Sequence, residues 1–305
     1  MHDLKNFFNI IRKMIFLFFK NIIVYIALVC VIIMWSLSYV GIKDTLKYFH
    51  PESIGFLRFF FASLFIFPWY FFLIPKKYIL QQYDIFLLLI TGSIGIGMYT
   101  ILINLGEKTV DPTITSFIIS LIPVFVSIIT FFFLNEKINT MGWIGIVISL
   151  VGIAMIFIQS KSINYGIIYL CLSALCGAFY TIMQKPLLKK LSPLEITSWC
   201  IWFATIAMSF SAPIAIKEIY YAPRKEIISI ILLGIGPGAL AYTLWSFCLN
   251  HLQRRVVANS LYFVPFLSII FEWIFLKKIP SWKNLLGGII ILFGVIVIFY
   301  KNKNK

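Results

Sequence analysis

Apolar runs of roughly twenty residues, separated by short clusters of proline, glycine and charge, recur from one end of the chain to the other. A helix needs roughly 20 such residues to cross about 30 Å of hydrocarbon. The breaks divide the chain into ten segments, predicted as helices at 22–43, 53–75, 84–106, 112–134, 140–159, 163–184, 193–216, 226–250, 256–276 and 282–300. The connections are short and leave no room for a soluble domain. Ahead of the first run stand Lys5, Arg12, Lys13 and Lys20, as in a secretion signal. No small-x-small cleavage pattern follows, and the run continues through Trp35. Residues 1–21 are therefore expected to form a basic, partly amphipathic cytoplasmic segment before an uncleaved span.

Composition agrees with this pattern. Hydrophobic residues make up 61% of the chain and charged ones only 12%, where a soluble domain carries about 25% charge. The mean hydropathy is +0.97. A formal charge of +15 raises the question of nucleic acid. The basic residues sit in short clusters between apolar runs and at the two ends, however, which fits interfacial anchoring and topology setting instead. Cys30, Cys171, Cys176, Cys200 and Cys248 all fall inside apolar runs without C-x-x-C spacing, so they read as small buried hydrophobes. His2, His50 and His251 are too scattered to form a metal set. No cofactor, metal or nucleic-acid partner is expected.

Ten spans put both termini on one side. With the N-terminus inside, fifteen Lys and Arg residues fall on the inner segments and ten on the outer, seven of the fifteen coming from the two tails. The positive-inside rule then predicts cytoplasmic termini in a bacterial inner (cell) membrane, with residues 301–305 as a basic cytoplasmic tail.

Sliding the chain against itself exposes a repeat. At an offset of 142, Lys43 meets Lys185, Lys47 meets Lys189, Pro51 meets Pro193, Pro123 meets Pro265, Gly145 meets Gly287 and Gly152 meets Gly294. At 143, Gly95, Tyr99 and Thr100 meet Gly238, Tyr242 and Thr243. Matches of Lys, Pro and Gly at one shift are not cheap in an apolar sequence. The expected fold is an all-α membrane protein of ten helices in two five-helix halves, 22–159 and 163–300. Since five is odd, the second half enters the membrane from the opposite side, and the halves are inverted copies around a central cavity.

The stretch from Trp35 to Lys43 (WSLSYVGIK), with Pro51 and Leu57-Arg58-Phe59, resembles the opening of the EamA domain of drug/metabolite transporters. Pro123-Val-Phe, Phe133-Leu-Asn-Glu136-Lys137, Gly145 and Gly152 resemble its close, and the second half repeats the pattern with Lys185, Pro193, Pro265, Gly287 and Gly294. The resemblance covers about residues 22–300. It implies helices 1, 3, 4, 6, 8 and 9 around a central cavity, and movement of amino acids, nucleotides or related metabolites. One departure stands out. Where the family closes helix 9 with Glu, matching Glu136, this chain has Lys278, and a carboxylate, Glu272, lies inside the helix instead.

The pathway candidates are aromatic and polar residues inside the spans. Trp35 and Tyr39 share a helix face at i, i+4. Tyr99 and Tyr242 occupy matching places after Gly95-x-Gly97 and Gly234-x-Gly236-Pro237-Gly238. The glycines permit close helix packing and Pro237 removes a backbone donor, so a bend is expected there. Bent helices in matching positions point to a transport site. Asn104, Trp245 and Tyr262 could add polar contacts. Arg58 reads either as a contact for a carboxylate or phosphate, or as a side chain that snorkels outward or pairs with Glu107. Glu272 likewise reads either as a coupling or substrate contact or as half of an ion pair with Lys277 or Lys278. Lys43 and Lys185 read as interfacial anchors.

These readings lead to a secondary active transporter that moves a small metabolite (an amino acid, a nucleoside or an S-adenosylmethionine-like solute) by alternating access. Its partners are that solute and the lipid bilayer, and coupling to a proton or a second solute, like the oligomeric state, is open. An integral-membrane enzyme or lipid-handling protein is the alternative, but it needs a buried ionisable cluster that no sequence motif supplies.

Overall fold

The computed structural model describes residues 2–74, 79–158, 164–252, 257 and 260–300, with side chains from Ile22 onward except 73, 299 and 300. The 301–305 tail, the junction at 159–163, the loop cations Lys76, Lys77, Lys161, Arg254 and Arg255, and the polar face expected of 1–21 lie outside that description. Everything described is helix or connection. Helix α1 (His2–Thr45) runs without a break through the start of the first apolar run. There follow α2 (Pro51–Leu73), α3 (Gln82–Glu107), α4 (Pro112–Leu134), α5 (Thr140–Ile158) and α6 (Tyr165–Leu187). The second part of the chain forms α7 (Pro193–Ala207), α8 (Ser209–Tyr221), α9 (Arg224–His251), α10 (Leu261–Leu276) and α11 (Trp282–Tyr300).

Among the described residues seven helices are long and apolar enough to cross a membrane. An eighth is formed if α7 and α8, bent by 42° across Met208, count as one span. Helix α10 and residues Trp282–Ile298 of α11 are apolar but shorter. Proline sets several of the starts. Pro51, Pro112 and Pro193 each stand in the first turn of a helix, where the missing N–H costs nothing. Ser192 and Glu195 close a reciprocal capping box at the start of α7. The α7/α8 bend has its cause in Pro213, which cannot donate to a preceding carbonyl, so the chain tightens into a single 3-10 turn at Ser209–Ser211.

The surface is apolar and much of the interior is polar, the reverse of a soluble protein. Phe72 and Phe133 are about four-fifths exposed, whereas Ser36, Asn104, Thr113, Thr115, Ser149, Ser198 and Ser268 are fully buried. Hydroxyls in lipid favour a partner; those of Ser36, Ser149 and Ser198 bond across or along helices, whereas those of Thr115 and Ser268 are buried with none among the described residues. Ser63 and Thr205, on α2 and α7, bond at 2.8 Å, and they are 142 residues apart. Ser149 of α5 donates to the Ile291 carbonyl of α11 at 3.3 Å, again 142 apart.

Helices α5 and α11 cross on glycine. A Cβ added at Gly145 would lie 2.5 Å from the Gly294 carbonyl oxygen, and one at Gly152 would lie 2.7 Å from that of Gly287. The contact is crosswise, each glycine meeting the counterpart of the other. Among the described residues, two non-glycine positions have left-handed backbone, Asn135 (φ 52°) after α4 and Lys277 (φ 55°) after α10. They too are separated by 142 positions.

Candidate functional site

Two helices widen into π-turns inside the bundle, α3 over Ser93–Met98 and α9 over Gly234–Leu240. These are the two glycine runs where the sequence predicts a bend. A π-turn leaves a wider backbone with imperfectly matched donors and acceptors, and such turns concentrate at functional sites. Glycine is required where neighbours press closest. A Cβ at Gly95 would fall 2.5 Å from the Tyr180 Cβ, and one at Gly234 would fall 2.6 Å from the Arg58 carbonyl. Gly97 and Gly238 lie in ordinary or slightly tight contact with α7 and α2, while Gly236 faces open space apart from the Met34 sulfur. Tyr99 follows directly on the first π-turn, and Tyr242 follows Ala241 after the second.

The opened backbone of α9 is taken up by α1, where the Trp35 indole N–H donates to the Pro237 carbonyl at 3.3 Å. The Trp35 ring meets Tyr242 edge-on at 5.5 Å between centroids and Trp245 at 5.1 Å. Tyr39, one turn further along α1, is buried and neighbours Tyr99. Trp35, Tyr99, Tyr242 and Trp245, carried by three helices, are only half-buried.

Arg58 enters the same place from α2. It is 8% exposed, and the groups nearest it electrostatically are Tyr242, Tyr99, Tyr39 and Glu107. The expected pairing with Glu107 is not made. Among the described residues Arg58 enters no ion pair, and its Nε is buried without a hydrogen-bond partner. Both Glu107 carboxylate oxygens are equally unpartnered.

The remaining candidates lie apart from this group. Asn104 donates to the Pro51 carbonyl at 2.8 Å, tying α3 to the start of α2, and its own Oδ1 has no partner. Tyr262 stands on a short 3-10 turn and packs into the main apolar core. Glu272 lies at the end of the bundle where α1 and α3 finish, in a third π-turn at Glu272–Leu276. The ion pair with Lys277 or Lys278 is absent. Glu272 instead accepts the Thr113 backbone N–H at 3.0 Å, and Lys278 pairs with Asp111 at 3.6 Å. Lys43 differs from a plain interfacial anchor. Its amine donates to the carbonyls of Glu107 and, at 2.9 Å, Val110. Sequence reading missed Tyr180, fully packed against Gly95, and the Ser63–Thr205 bond, although the neighbouring match of Phe61-Ala62 with Phe203-Ala204 points to it.

The sequence model of the EamA-like transporter family matches residues 22–158 and again 164–300. An uncharacterized transporter of Bacillus subtilis, YdfC, is 27% identical over 88% of this chain and 88% of its own length. A probable terminal-alkyne amino-acid exporter of Streptantibioticus cattleyicolor is 25% identical, covering 70% of this chain and 73% of its own. An S-adenosylmethionine uptake transporter of Rickettsia prowazekii is 27% identical over 84% and 85%. One protein of known crystal structure superposes with a TM-score of 0.63 at 16% identity, over 92% of this chain and 99% of its own, a likeness of fold.

Proposed function

The chain belongs to the EamA-like transporter family, and from that premise we propose that it is a secondary carrier moving a small metabolite across a bacterial inner (cell) membrane by alternating access. The names of the family and of the relatives point to a transporter rather than an enzyme. In this reading the ten apolar segments are ten spans in two inverted halves, 22–159 and 163–300, with both termini in the cytoplasm. The support for inversion is geometric. Residues related by the 142 shift touch one another at two separate places, Ser63 with Thr205 and Ser149 with Ile291. A two-fold axis requires such self-contacts wherever it passes through packed helices, and it also requires the reciprocal glycine pairing of α5 with α11.

The observation that carries the transport reading is the pair of π-turns in corresponding places on α3 and α9, each presenting a tyrosine to the same aromatic group. Matched irregular helices at the middle of two inverted repeats form the usual solute site of a carrier. The substrate pathway is accordingly lined by Trp35, Tyr39, Tyr99, Tyr242 and Trp245, with Asn104 and Tyr262 further along it and Gly95, Gly97, Gly236, Pro237 and Gly238 shaping its walls. Two relatives are named for an amino acid and for S-adenosylmethionine, and the solute here is of the same size range, an amino acid, a nucleoside or an S-adenosylmethionine-like molecule.

Single substitutions Tyr99→Ala and Tyr242→Ala are expected to lower uptake into proteoliposomes by about tenfold or more, with membrane insertion and elution profile unchanged. Wild-type rates in both variants remove these residues from the site.

A further inference from the structure

Among the described residues, Arg58 is a permanent charge in a membrane interior without a counter-ion. The guanidinium cannot be neutralised by losing a proton, and a buried charge left unpaired is strongly destabilising. It lies seven residues past Pro51, roughly 10 Å along α2, and is 8% exposed with Nε unpartnered. Glu107, a carboxylate that acts on it electrostatically, has both oxygens free of hydrogen bonds among the described residues. Among the described residues neither group satisfies the other, which leaves Arg58 open to a partner from outside the protein.

We propose that Arg58 binds the carboxylate of an amino-acid-type zwitterion, whose cationic centre faces the Trp35–Tyr242–Trp245 group. This rests on the carrier reading above and narrows its solute. A guanidinium fork matches a carboxylate with two parallel hydrogen bonds. A single arginine balances a monoanion, whereas a phosphate dianion calls for a second cation where Glu107 stands instead. Aromatic faces attract ammonium and sulfonium groups, and Tyr242 and Trp245 each lie within 5.5 Å of Trp35 between centroids. An amino acid and S-adenosylmethionine share this pairing of carboxylate and cation, and a neutral nucleoside lacks it.

The test uses the full chain in detergent for thermal stabilisation and in proteoliposomes for uptake. Its probes are the common L-amino acids and their amides, S-adenosylmethionine and its decarboxylated form, neutral nucleosides, and inorganic phosphate. At least one carboxylate-bearing probe is expected to bind and be carried, with its amide or decarboxylated partner weaker by about 30-fold or more. Arg58→Gln should bring the pair level. Arg58→Lys should keep the preference with weaker binding, which decides the matter if the glutamine variant does not fold. Glu107→Gln should leave the preference ratio in place.

Equal binding of the paired probes overturns the proposal. So does an Arg58→Gln protein that keeps the preference, phosphate as the sole ligand, or a Glu107→Gln protein that loses the preference as fully as Arg58→Gln. Nucleosides carried without regard to Arg58 would leave the carrier intact and remove the carboxylate site. If no probe of any charge is bound or carried, the carrier reading falls first and this inference with it.

Discussion

Lys43 and Lys185 stand 142 residues apart and at opposite ends of the bundle, and they do different work. Lys185 is half-exposed and pairs with an equally exposed Glu136 at 3.1 Å. Such a pair is wet and contributes at most about 1 kcal/mol. Lys43 is turned inward to the carbonyls of Glu107 and Val110, where α3 ends. Those carbonyls have no helical partner, and a cation there also meets the negative end of the α3 dipole. Beside it Glu272, from α10, accepts a backbone N–H in the first turn of α4. Charges on two helices thus seal the termini of two others. The position matching Glu272 at the opposite end is Thr130, whose hydroxyl donates within its own helix to the Ser127 carbonyl at 3.2 Å. At the Lys43 end the buried carboxylate of Glu272 holds a helix start, whereas the Lys185 end carries the surface pair with Glu136 together with a pair between the buried Asp84 and Lys190 at 2.7 Å. On the alternating-access reading, these two environments exchange during the cycle and the difference belongs to one state of it.

Three measurements would break or sharpen that contrast. Lys43→Met should lower the stability of the solubilised protein by about 2 kcal/mol, because buried carbonyls lose their donor. Lys185→Met should cost about 0.5 kcal/mol. Melting curves of equal displacement would erase the distinction. Next in size is access. In a background lacking the five native cysteines, a water-soluble maleimide should label Lys185→Cys about tenfold faster than Lys43→Cys, since local opening must precede reaction at the sealed end. A transported solute should narrow that ratio, whereas an unchanged ratio during turnover would mark the seal as static. Smallest is Glu272→Leu, which removes a helix-start acceptor and should cost about 1 kcal/mol. Glu272→Gln keeps an acceptor oxygen and should recover part of it in the same melting experiment.

Much of this was legible before any coordinates. Proline at the first turn marks the starts of α2, α4 and α7, and the glycine runs mark both π-turns, because these residues act through local backbone chemistry. The α7/α8 bend was legible in Pro213 but was hidden by an apolar run that continues through it. Side-chain partnerships were another matter. Nothing in sequence order distinguishes an Arg58 paired with Glu107 from an Arg58 left alone, since the outcome depends on how α2 and α3 are rotated. The Lys43 contacts were unreadable for a similar reason, as backbone carbonyls leave no mark in composition. The match of Lys43 with Lys185 even suggested one shared role, whereas burial gives them two.

The crosswise glycines of α5 and α11 have a consequence for assembly. Gly145 meets Gly294 and Gly152 meets Gly287, so each helix offers its partner the same spacing of smooth positions that it receives. A surface that recognises its own copy turned upside down does not need both copies on one polypeptide. On the inverted reading, 22–159 and 163–300 made as separate chains already carry the recognition that brings them together. A half inserted in both orientations would find itself as a mate.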